Sequence, residues 1–308
     1  MRTLALWTGR SGSALLALFL AARLEAAVPA VAAPTALHST ELVVLSYNVN
    51  SLPLLSHADR LRQIGRLLAE RRARGDEPQL VLLQEAFSGD AKRIRNRAGY
   101  RYDAVGAGGG PSLLLSNPSG LEILSDHPIL AQYSRSFDDC AGADCLAHKS
   151  VLGVTIQIPG MPVPLQVFTT HLQAHTPNDS VRKNQIDDID TFMRRIGFGA
   201  EPAIFAGDMN FQPRHRSYRK FLRDFSFFTE TGRYCLDVST CQIAVGGDGH
   251  TDLNDVWKTS HDRQFFYAPP SSPVRIEPIA LTRNFTEPYQ GQPLSDHWGY
   301  EVRYRLSW

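Results

Sequence analysis

One stretch combines a short apolar run with a polar end: Ala203-Ile204-Phe205-Ala206-Gly207-Asp208-Met209-Asn210-Phe211. The apolar part is typical of a buried strand, and Gly207 ends it. Ligand sites of layered α/β folds collect at such strand ends, so Asp208 and Asn210 are predicted to belong to one. An ordinary strand that enters a turn has the same pattern, and the stretch alone leaves both interpretations open.

Four other places in the chain repeat this arrangement of a predicted strand beside polar residues. The five sets are Asn48, Glu85, His171, Asp208 with Asn210, and Asp296 with His297. An amphipathic helix is predicted up to about Arg74, between the first two strands, so these strands lie side by side and deliver Asn48 and Glu85 to one edge. Carboxylates, amides and histidines together are the inventory of metal-assisted phosphoryl chemistry.

The size of the chain favours a single globular unit, and its charge does not indicate a nucleic-acid or anionic-lipid partner. It has 308 residues, 43% of them hydrophobic, and a formal net charge of +1. This length can bury a sizeable core, while the near-neutral charge gives no overall attraction to nucleic acid or anionic lipid. We find no internal repeat and no linker, and therefore predict one catalytic domain over residues 28–308.

The first residues have the layout of a secretory signal peptide, which we assign to residues 1–27. Arg2 and Arg10 precede an uncharged run from Ser11 to Ala22, and small residues follow from Ala26 to Ala33. The run is shorter than the ~20 residues of a membrane span, so a retained anchor is the minority interpretation. A secreted or periplasmic location is expected.

The four cysteines form two local pairs, and an even number in an exported chain indicates disulfide bonds. Three connectivities are possible, and we favour Cys140 with Cys145 and Cys235 with Cys241, each worth about 2 kcal/mol by chain entropy. Free or cross-paired thiols are the alternative. A zinc site is disfavoured because neither pair has the spacing of a zinc ligand motif.

The remaining chain supplies further predicted elements. Helices are expected at 91–98, 178–196 and 214–224, and strands near 113–115, at 121–124, at 151–158, at 264–267 behind Asp262, and at 300–306. The glycine run 106–110 is expected to be a turn, because no helix and no Lys-Ser/Thr follows it as in a nucleotide-binding loop. Residues 134–149 are expected to form a loop.

Five segments in this order resemble the endonuclease/exonuclease/phosphatase superfamily, whose fold is that of deoxyribonuclease I. They are Ser46-Tyr47-Asn48, Leu83-Gln84-Glu85, Thr170-His171-Leu172-Gln173, Gly207-Asp208-Met209-Asn210 and Ser295-Asp296-His297. The resemblance covers essentially the whole mature chain. It implies an α+β fold, a four-layer α/β sandwich of two packed β-sheets flanked by helices.

Within the superfamily, the chain looks most similar to the secreted bacterial and neutral sphingomyelinases. The segment Thr170-His171-Leu172-Gln173-Ala174 resembles their histidine motif, and Asp144 with Lys149 resembles a loop that places these two residue types five apart. Ser150 departs from the pattern, in which a glycine usually follows the lysine. The exposed aromatic hairpin of the bacterial members is not found between Tyr267 and Ser295.

The resemblance implies a role for each site residue. Glu85, helped by Asn48, would hold Mg²⁺, with Mn²⁺ or Co²⁺ as substitutes. His297 would be the general base, with an imidazole that is neutral near pH 7, and Asp262 would orient it. Asp208 and Asn210 would position the water and the phosphate, and His171 would stabilise the developing charge or protonate the leaving group. Asp296 would be a second carboxylate at the metal or would fix the loop of His297. Lys149, near Asp144, would be a cation that faces the phosphate, or else a solvated loop lysine.

The resemblance thus implies a secreted Mg²⁺-dependent phosphodiesterase that hydrolyses sphingomyelin to ceramide and phosphocholine. Its partner would be phospholipid at a membrane surface, and no stable protein partner is predicted. Three alternatives stay open: a secreted deoxyribonuclease I-like nuclease, a phosphodiesterase of another phospholipid, and a non-catalytic protein that kept the fold. The near-neutral charge ranks nucleic acid second, although the arginine-rich helices leave it open.

Overall fold

The computed structural model describes residues 38–52, 58–107, 117–245 and 253–308. The predicted signal peptide at 1–27, the predicted strand near 113–115 and most of the predicted glycine turn lie outside these ranges.

Two sheets form the centre of the fold. The described strands are β1 Ser39–Asn48, β2 Leu80–Gln84, β3 Tyr102–Val105, β4 Glu122–Ser125, β5 Ile129–Ser136, β6 Ser150–Ile156, β7 Leu165–His171, β8 Ala203–Asp208, β9 Thr229–Glu230, β10 Gln242–Ala244, β11 Asp262–Tyr267, β12 Arg275–Asn284 and β13 Gly299–Ser307. The first sheet has the strand order β10-β12-β13-β1-β2-β4-β3, and the second has the order β5-β6-β7-β8-β11-β9.

Four of the six described α-helices cover the outer faces of the two sheets, and the last two in chain order contribute to the apolar cluster between the sheets. The described α-helices are α1 Ala58–Arg74, α2 Lys92–Ala98, α3 Asp179–Arg195, α4 Arg216–Asp224, α5 Thr231–Asp237 and α6 Leu253–Thr259. Leucine and isoleucine side chains of α1 and α2 pack on the first sheet, and α3 and α4 pack on the second. None of the helices in the described ranges combines the length and the apolar composition needed to cross a bilayer.

Three apolar clusters separate the four layers. In β1, Val44 belongs to the cluster between the sheets, whereas its neighbour Leu45 belongs to the cluster under α1 and α2. In β8, Ile204 faces the other sheet and Phe205 faces α3 and α4. Successive side chains point to opposite faces of a strand, so a strand buried on both faces is apolar throughout. The predicted four-layer α+β sandwich is confirmed.

The pairing of β1 with β2 positions the first half of the site. These strands are parallel, as predicted, and Asn48 lies opposite Gln84 in the register. Asn48 and Glu85 therefore emerge at the same edge of the first sheet.

The register of the second sheet positions the other half. In the parallel pair β7 and β8, His171 lies opposite Asp208, and in the antiparallel pair β8 and β11, Asp262 lies opposite Asp208. Three polar residues thus form a row across three adjacent strands, at the end where β8 finishes.

The structure differs from the sequence predictions mainly at the sheet edges. The predicted loop 134–149 is wrong at its start, because β5 continues to Ser136 and pairs with β6. The strands β3, β5, β9, β10 and β12 and the helices α5 and α6 were not predicted. The predicted helix at 214–224 begins two residues later, at Arg216. Both favoured disulfide bonds, Cys140–Cys145 and Cys235–Cys241, are present.

Candidate active site

A cavity of about 790 Å³ opens at the end of the sandwich where the polar strand ends meet; we call it the central cavity. Eight of the ten predicted site residues line it: Glu85, Asp144, Lys149, His171, Asp208, Asn210, Asp296 and His297. The other two, Asn48 and Asp262, are buried behind this lining and hydrogen-bond to residues in it. The structure therefore brings all ten side chains to one place.

Asp208 lies at the centre of this group and is 2% exposed. Its Oδ2 is 3.1 Å from Asn48 Nδ2, 3.4 Å from His171 Nε2 and 3.6 Å from His297 Nε2, while its Oδ1 accepts a hydrogen bond from the Asn210 backbone N–H. Burial alone would raise the pKa of Asp208, but His297, His171 and nearby Lys149 outweigh it and hold the pKa below the usual range. Asp208 is therefore ionised.

Glu85 follows β2 in a left-handed backbone conformation, with a φ of 53°. This conformation is unfavourable for glutamate and persists where the surrounding structure enforces it, as at functional sites. Its Oε1 accepts a hydrogen bond of 2.9 Å from Asn48 Nδ2 and lies 3.9 Å from His171 Nε2. Burial, with a smaller contribution from Asp208, raises the pKa of Glu85.

Asn48 bridges the two carboxylates. Its NH₂ group donates to Glu85 and to Asp208, and its side-chain oxygen accepts from the Asn50 backbone N–H at 3.0 Å. In this amide orientation no oxygen of the side chain faces the carboxylates. The arrangement differs from the predicted use of Asn48 as a direct metal ligand, and it makes Asn48 a donor that holds Glu85 and Asp208 together.

Hydrogen bonds fix both the ring and the backbone of His297. Its Nδ1 lies 2.9 Å from Asp262 Oδ2, and a carboxylate partner fixes the proton on Nδ1, so that Nε2 faces the cavity and Asp208. Ser295 Oγ accepts from the His297 backbone N–H and donates to the Asn48 carbonyl, which fixes the loop to β1.

The predicted neutral imidazole of His297 at pH 7 is wrong for this arrangement. Burial would lower the pKa of His297, but Asp262 and Asp208, two carboxylates at opposite sides of the ring, raise it to about 11. The imidazole is a strong base that holds its proton at neutral pH. The sequence did not indicate this because it does not show that both carboxylates contact one ring.

His171 and Lys149 form a buried pair on the other side of Asp208. Lys149 Nζ is 3.0 Å from His171 Nε2 and donates to the Leu172 carbonyl at 2.8 Å. An ammonium group only donates, so His171 Nε2 accepts and its Nδ1 carries the proton. Burial, aided by the Lys149 charge, lowers the pKa of His171 to about 3. Lys149 is 5% exposed, so the solvated-lysine interpretation is wrong.

Asp144 connects this pair to a loop that we call the cysteine loop, residues 140–149. Its Oδ2 accepts hydrogen bonds from Gln173 Nε2 and the Ala174 backbone N–H and lies 2.9 Å from Lys149 Nζ. Burial would raise the pKa of Asp144, but Lys149 and the Ala174 N–H lower it. The cysteine loop is thereby fixed to the end of β7.

Asn210 and Asp296 complete the predicted set. Asn210 also has a left-handed backbone, with a φ of 49°, and its Nδ2 donates to the Leu172 carbonyl. Asp296 is an exposed lining residue whose Oδ1 lies 3.3 Å from Ser295 Oγ, within its own loop.

Comparison with known proteins identifies the family. Residues 45–297 match the Endonuclease/Exonuclease/phosphatase family, and this span includes every residue of the site. The chain belongs to this family. No curated protein sequence matches the chain significantly.

Solved structures share the fold of this family member at low identity. A humanized D. rerio TDP2 is 18% identical with a TM-score of 0.63, covering 86% of this chain and 98% of that one. Sphingomyelinase C from Streptomyces griseocarneus is 20% identical with a TM-score of 0.60, covering 86% and 99%. A beta toxin mutant from Staphylococcus aureus with bound magnesium ions is 17% identical with a TM-score of 0.59, covering 85% and 99%.

The donor set of this family member fits a hard divalent cation. Single ligand atoms of Glu85, His171 and Asp208 lie within 4.8 Å of one another. Two of the three are carboxylate oxygens, the ligands that Mg²⁺ prefers. Since His171 Nε2 already accepts from Lys149, the two carboxylates are the available ligands.

Several lining residues were not predicted from the sequence. They are Asn50, Leu52, Phe87, Ala143, Leu146, Ala147, Ala174, His175, Thr176, His215 and His261. Most of them belong to loops or short 3₁₀ turns. Loop residues carry no periodic pattern, so only the packing of the strands reveals that they share a cavity.

Proposed function

We propose that this family member is a Mg²⁺-dependent phosphodiesterase that hydrolyses sphingomyelin to ceramide and phosphocholine. Membership of the family supports hydrolysis of phosphodiester bonds. One observation carries the choice of a lipid substrate over a nucleic acid: the charge of the central cavity.

The described lining of the central cavity contains four carboxylates, one ammonium group and the protonated imidazole of His297. The carboxylates belong to Glu85, Asp144, Asp208 and Asp296. The ammonium is that of Lys149, which is buried and paired with Asp144, and no arginine is present in this part of the lining. A nuclease binds the phosphates of its substrate with exposed Lys and Arg side chains. The described lining of the cavity has no exposed Lys or Arg side chain. A single phosphodiester with a cationic headgroup suits this charge distribution better.

Glu85 and Asp208 would hold the divalent cation, Mg²⁺ or its substitutes Mn²⁺ and Co²⁺, with Asn48 orienting both carboxylates. When bound, the cation would place positive charge beside the phosphate oxygens, where negative charge develops during hydrolysis. The magnesium-bound beta toxin mutant, which has the same fold, supports this choice of cation.

His297 would accept the proton of the attacking water at Nε2. Asp262 holds the opposite nitrogen, which fixes the tautomer and stabilises the charged ring that results. Because the flanking carboxylates make the ring strongly basic, His297 has to lose its resting proton before it can act as a base.

The residues on the far side of Asp208 would bind the phosphate and the leaving group. Lys149 provides the one ammonium group of the described lining, and His171 beside it is a neutral acceptor that orients this group. Asn210 would position the phosphate, and Asp144 would keep Lys149 in place. Asp296 would contact the headgroup from the cavity entrance, where it is exposed.

A nuclease is the second candidate, because a fold neighbour, D. rerio TDP2, was solved with a single-strand DNA product. Action after export is part of the first proposal and is supported by the two disulfide bonds, which persist in oxidising compartments.

Parallel assays test the proposal. Purified protein with Mg²⁺ is incubated with vesicles of sphingomyelin, with vesicles of phosphatidylcholine, and with double- and single-stranded DNA. We expect phosphocholine release from sphingomyelin that chelator abolishes, and little DNA cleavage. DNA cleavage without lipid turnover would establish the nuclease instead, and turnover of phosphatidylcholine alone would change the lipid.

A further inference from the structure

Leu146 is the most exposed large apolar side chain among the described residues. It is 79% exposed and it lines the central cavity. Leu52, 37% exposed, and Ala143, also exposed, line the same cavity. Single exposed apolar residues are common on protein surfaces, but a group of them around a cavity marks an interaction site.

The exposure of Leu146 does not come from a loose loop. Its neighbour Cys145 is bonded to Cys140, and the next residue, Ala147, donates its backbone N–H to the Asp144 carbonyl. The side chain of Asp144 is hydrogen-bonded to Gln173 and Ala174. The cysteine loop is therefore fixed on both sides of Leu146, which holds the leucine outward beside the cavity entrance.

The distribution of polarity along the cavity selects the kind of molecule that fits. The charged groups of Glu85, Asp208 and Lys149 are buried or half-buried, whereas Leu52 and Leu146 are exposed. Beside these leucines, the exposed part of the lining also has the polar residues Asp296, His175 and Thr176. A phosphate deep in the cavity would therefore have apolar surface beside it at the entrance. An amphiphile with a phosphodiester head next to hydrocarbon matches this order, and a free phosphate or a water-soluble ester does not use the apolar entrance.

We propose that Leu146, together with Leu52, is a membrane-contacting element that inserts into the lipid surface around the substrate. This inference rests on the proposed function for the identity of the lipid, and it adds the surface by which the protein reaches it. The cysteine loop is the membrane-inserting element, and its disulfide bond fixes the loop in the conformation that exposes Leu146. Burying one leucine side chain in hydrocarbon corresponds to roughly a tenfold to hundredfold gain in affinity.

The test compares Leu146→Ser with Leu130→Ser. Leu130 is 58% exposed on β5 and does not line the central cavity, so it is a matched control for the loss of an exposed leucine. Turnover is measured on mixed phosphatidylcholine and sphingomyelin vesicles and on p-nitrophenylphosphorylcholine, which has no hydrocarbon chains. Binding to the same vesicles is measured by sedimentation in chelator.

We expect Leu146→Ser to lower the ratio of vesicle turnover to soluble turnover by about tenfold or more, and to weaken sedimentation by a similar factor. Leu130→Ser should change neither. The proposal would be overturned if Leu146→Ser left the ratio of vesicle turnover to soluble turnover unchanged. It would also be overturned if both variants weakened vesicle binding equally. If the wild-type protein hydrolyses neither substrate, the sphingomyelinase proposal fails, and sedimentation then decides the membrane contact by the same comparison.

Discussion

Asp208 shows how much the site depends on a single buried carboxylate. Its two oxygens contact an amide, two imidazoles and a backbone N–H, and it stays ionised because these neighbours outweigh the cost of burial. Its position is a consequence of sheet register, since β7 and β11 place His171 and Asp262 opposite it. A shift of either strand by one residue would turn these side chains to the other face.

Replacing the base is expected to remove activity and leave the fold intact. His297→Ala should lower kcat on sphingomyelin by about 10²–10⁴-fold, because the group that accepts the proton is lost. Asp262→Asn should lower kcat as well, since the amide cannot hold the same imidazole tautomer. Thermal unfolding and steady-state kinetics measure both properties, with His127→Ala, outside the cavity, as the control. Full activity of His297→Ala would remove this residue from the catalytic set.

Glu122 is a buried carboxylate away from the cavity, and it couples stability to pH. It is 4% exposed, and its nearest cation, Arg95, is 3.5 Å away. Burial raises the pKa of Glu122 from 4.5 to about 7, against the weaker opposing effect of Arg95. The folded state therefore binds a proton that the unfolded state has lost between these values, and stability falls as pH rises through this window.

Glu122→Gln mimics the protonated carboxyl group, so its benefit should grow with pH. We expect the free energy of unfolding of the variant, relative to wild type, to be about 3 kcal/mol more favourable at pH 8 than at pH 4.5. Urea titrations at several pH values measure this difference. A pH-independent effect of Glu122→Gln would mean that Glu122 does not titrate in this window.

At the scale of elements, β8 requires glycine next to Asp208. Gly207 has a φ of 153°, and a Cβ at this position would lie 2.1 Å from the Thr170 carbonyl oxygen in β7. This oxygen belongs to the backbone of β7, which is paired on both sides within the sheet, so it cannot move aside. The pairing that places His171 opposite Asp208 therefore depends on the missing side chain.

Gly207→Ala should destabilise the protein by about 3 kcal/mol or more, since backbone has to shift to admit the methyl group. Gly75→Ala is the matched control: Gly75 also has a positive φ, 74°, but nothing lies within 4 Å of its added Cβ. The control should cost about 1 kcal/mol from backbone strain alone. Equal effects of the two changes in urea denaturation would contradict the close approach of β7 and β8.

The central strands and the amphipathic helices could be predicted from the sequence, and the edges of the sheets could not. The apolar runs in β1, β2, β7 and β8 are buried on both faces, so their composition alone indicates strands. In contrast, β5 is half-exposed and polar, and it is a strand because it pairs with β6. In β12, Pro278 interrupts the strand-like sequence pattern, and the register with β13 shifts directly after it.

The same division holds for the candidate site. Residues at the ends of central strands, such as Asn48, Glu85 and Asp208, could be found because the strand fixes where they emerge. The burial of Lys149 and the strong basicity of His297 could not be found, since both depend on contacts between segments far apart in the chain. Leu146 had no sequence signal, because one leucine in a loop has no periodicity.

At the scale of the whole molecule, the site lies between two layers whose acidic groups face each other. Glu85 comes from the first sheet and Asp208 from the second, and Asn48 bridges them. A cation held by both carboxylates would therefore stabilise the packing of the two sheets as well as supply the chemistry. Metal binding is thus expected to be visible in stability without any assay of activity.

Mg²⁺ should raise the Tm. At a concentration tenfold above its Kd, binding adds about 1.4 kcal/mol, which corresponds to a shift of a few degrees for a chain of this size. Glu85→Gln removes one ligand and should abolish the shift, while Glu122→Gln should retain it. Differential scanning calorimetry with and without chelator measures the effect. A wild-type Tm that does not respond to Mg²⁺ or Mn²⁺ would argue against a metal at Glu85 and Asp208.

The most direct test is the anomalous diffraction of a crystal grown with Mn²⁺ and phosphocholine. We expect one manganese peak between the Glu85 and Asp208 carboxylates, with the phosphate beside it and within reach of Lys149 and His297. A peak elsewhere, or a phosphate bound away from these side chains, would contradict the claim that both sheets form one hydrolytic centre.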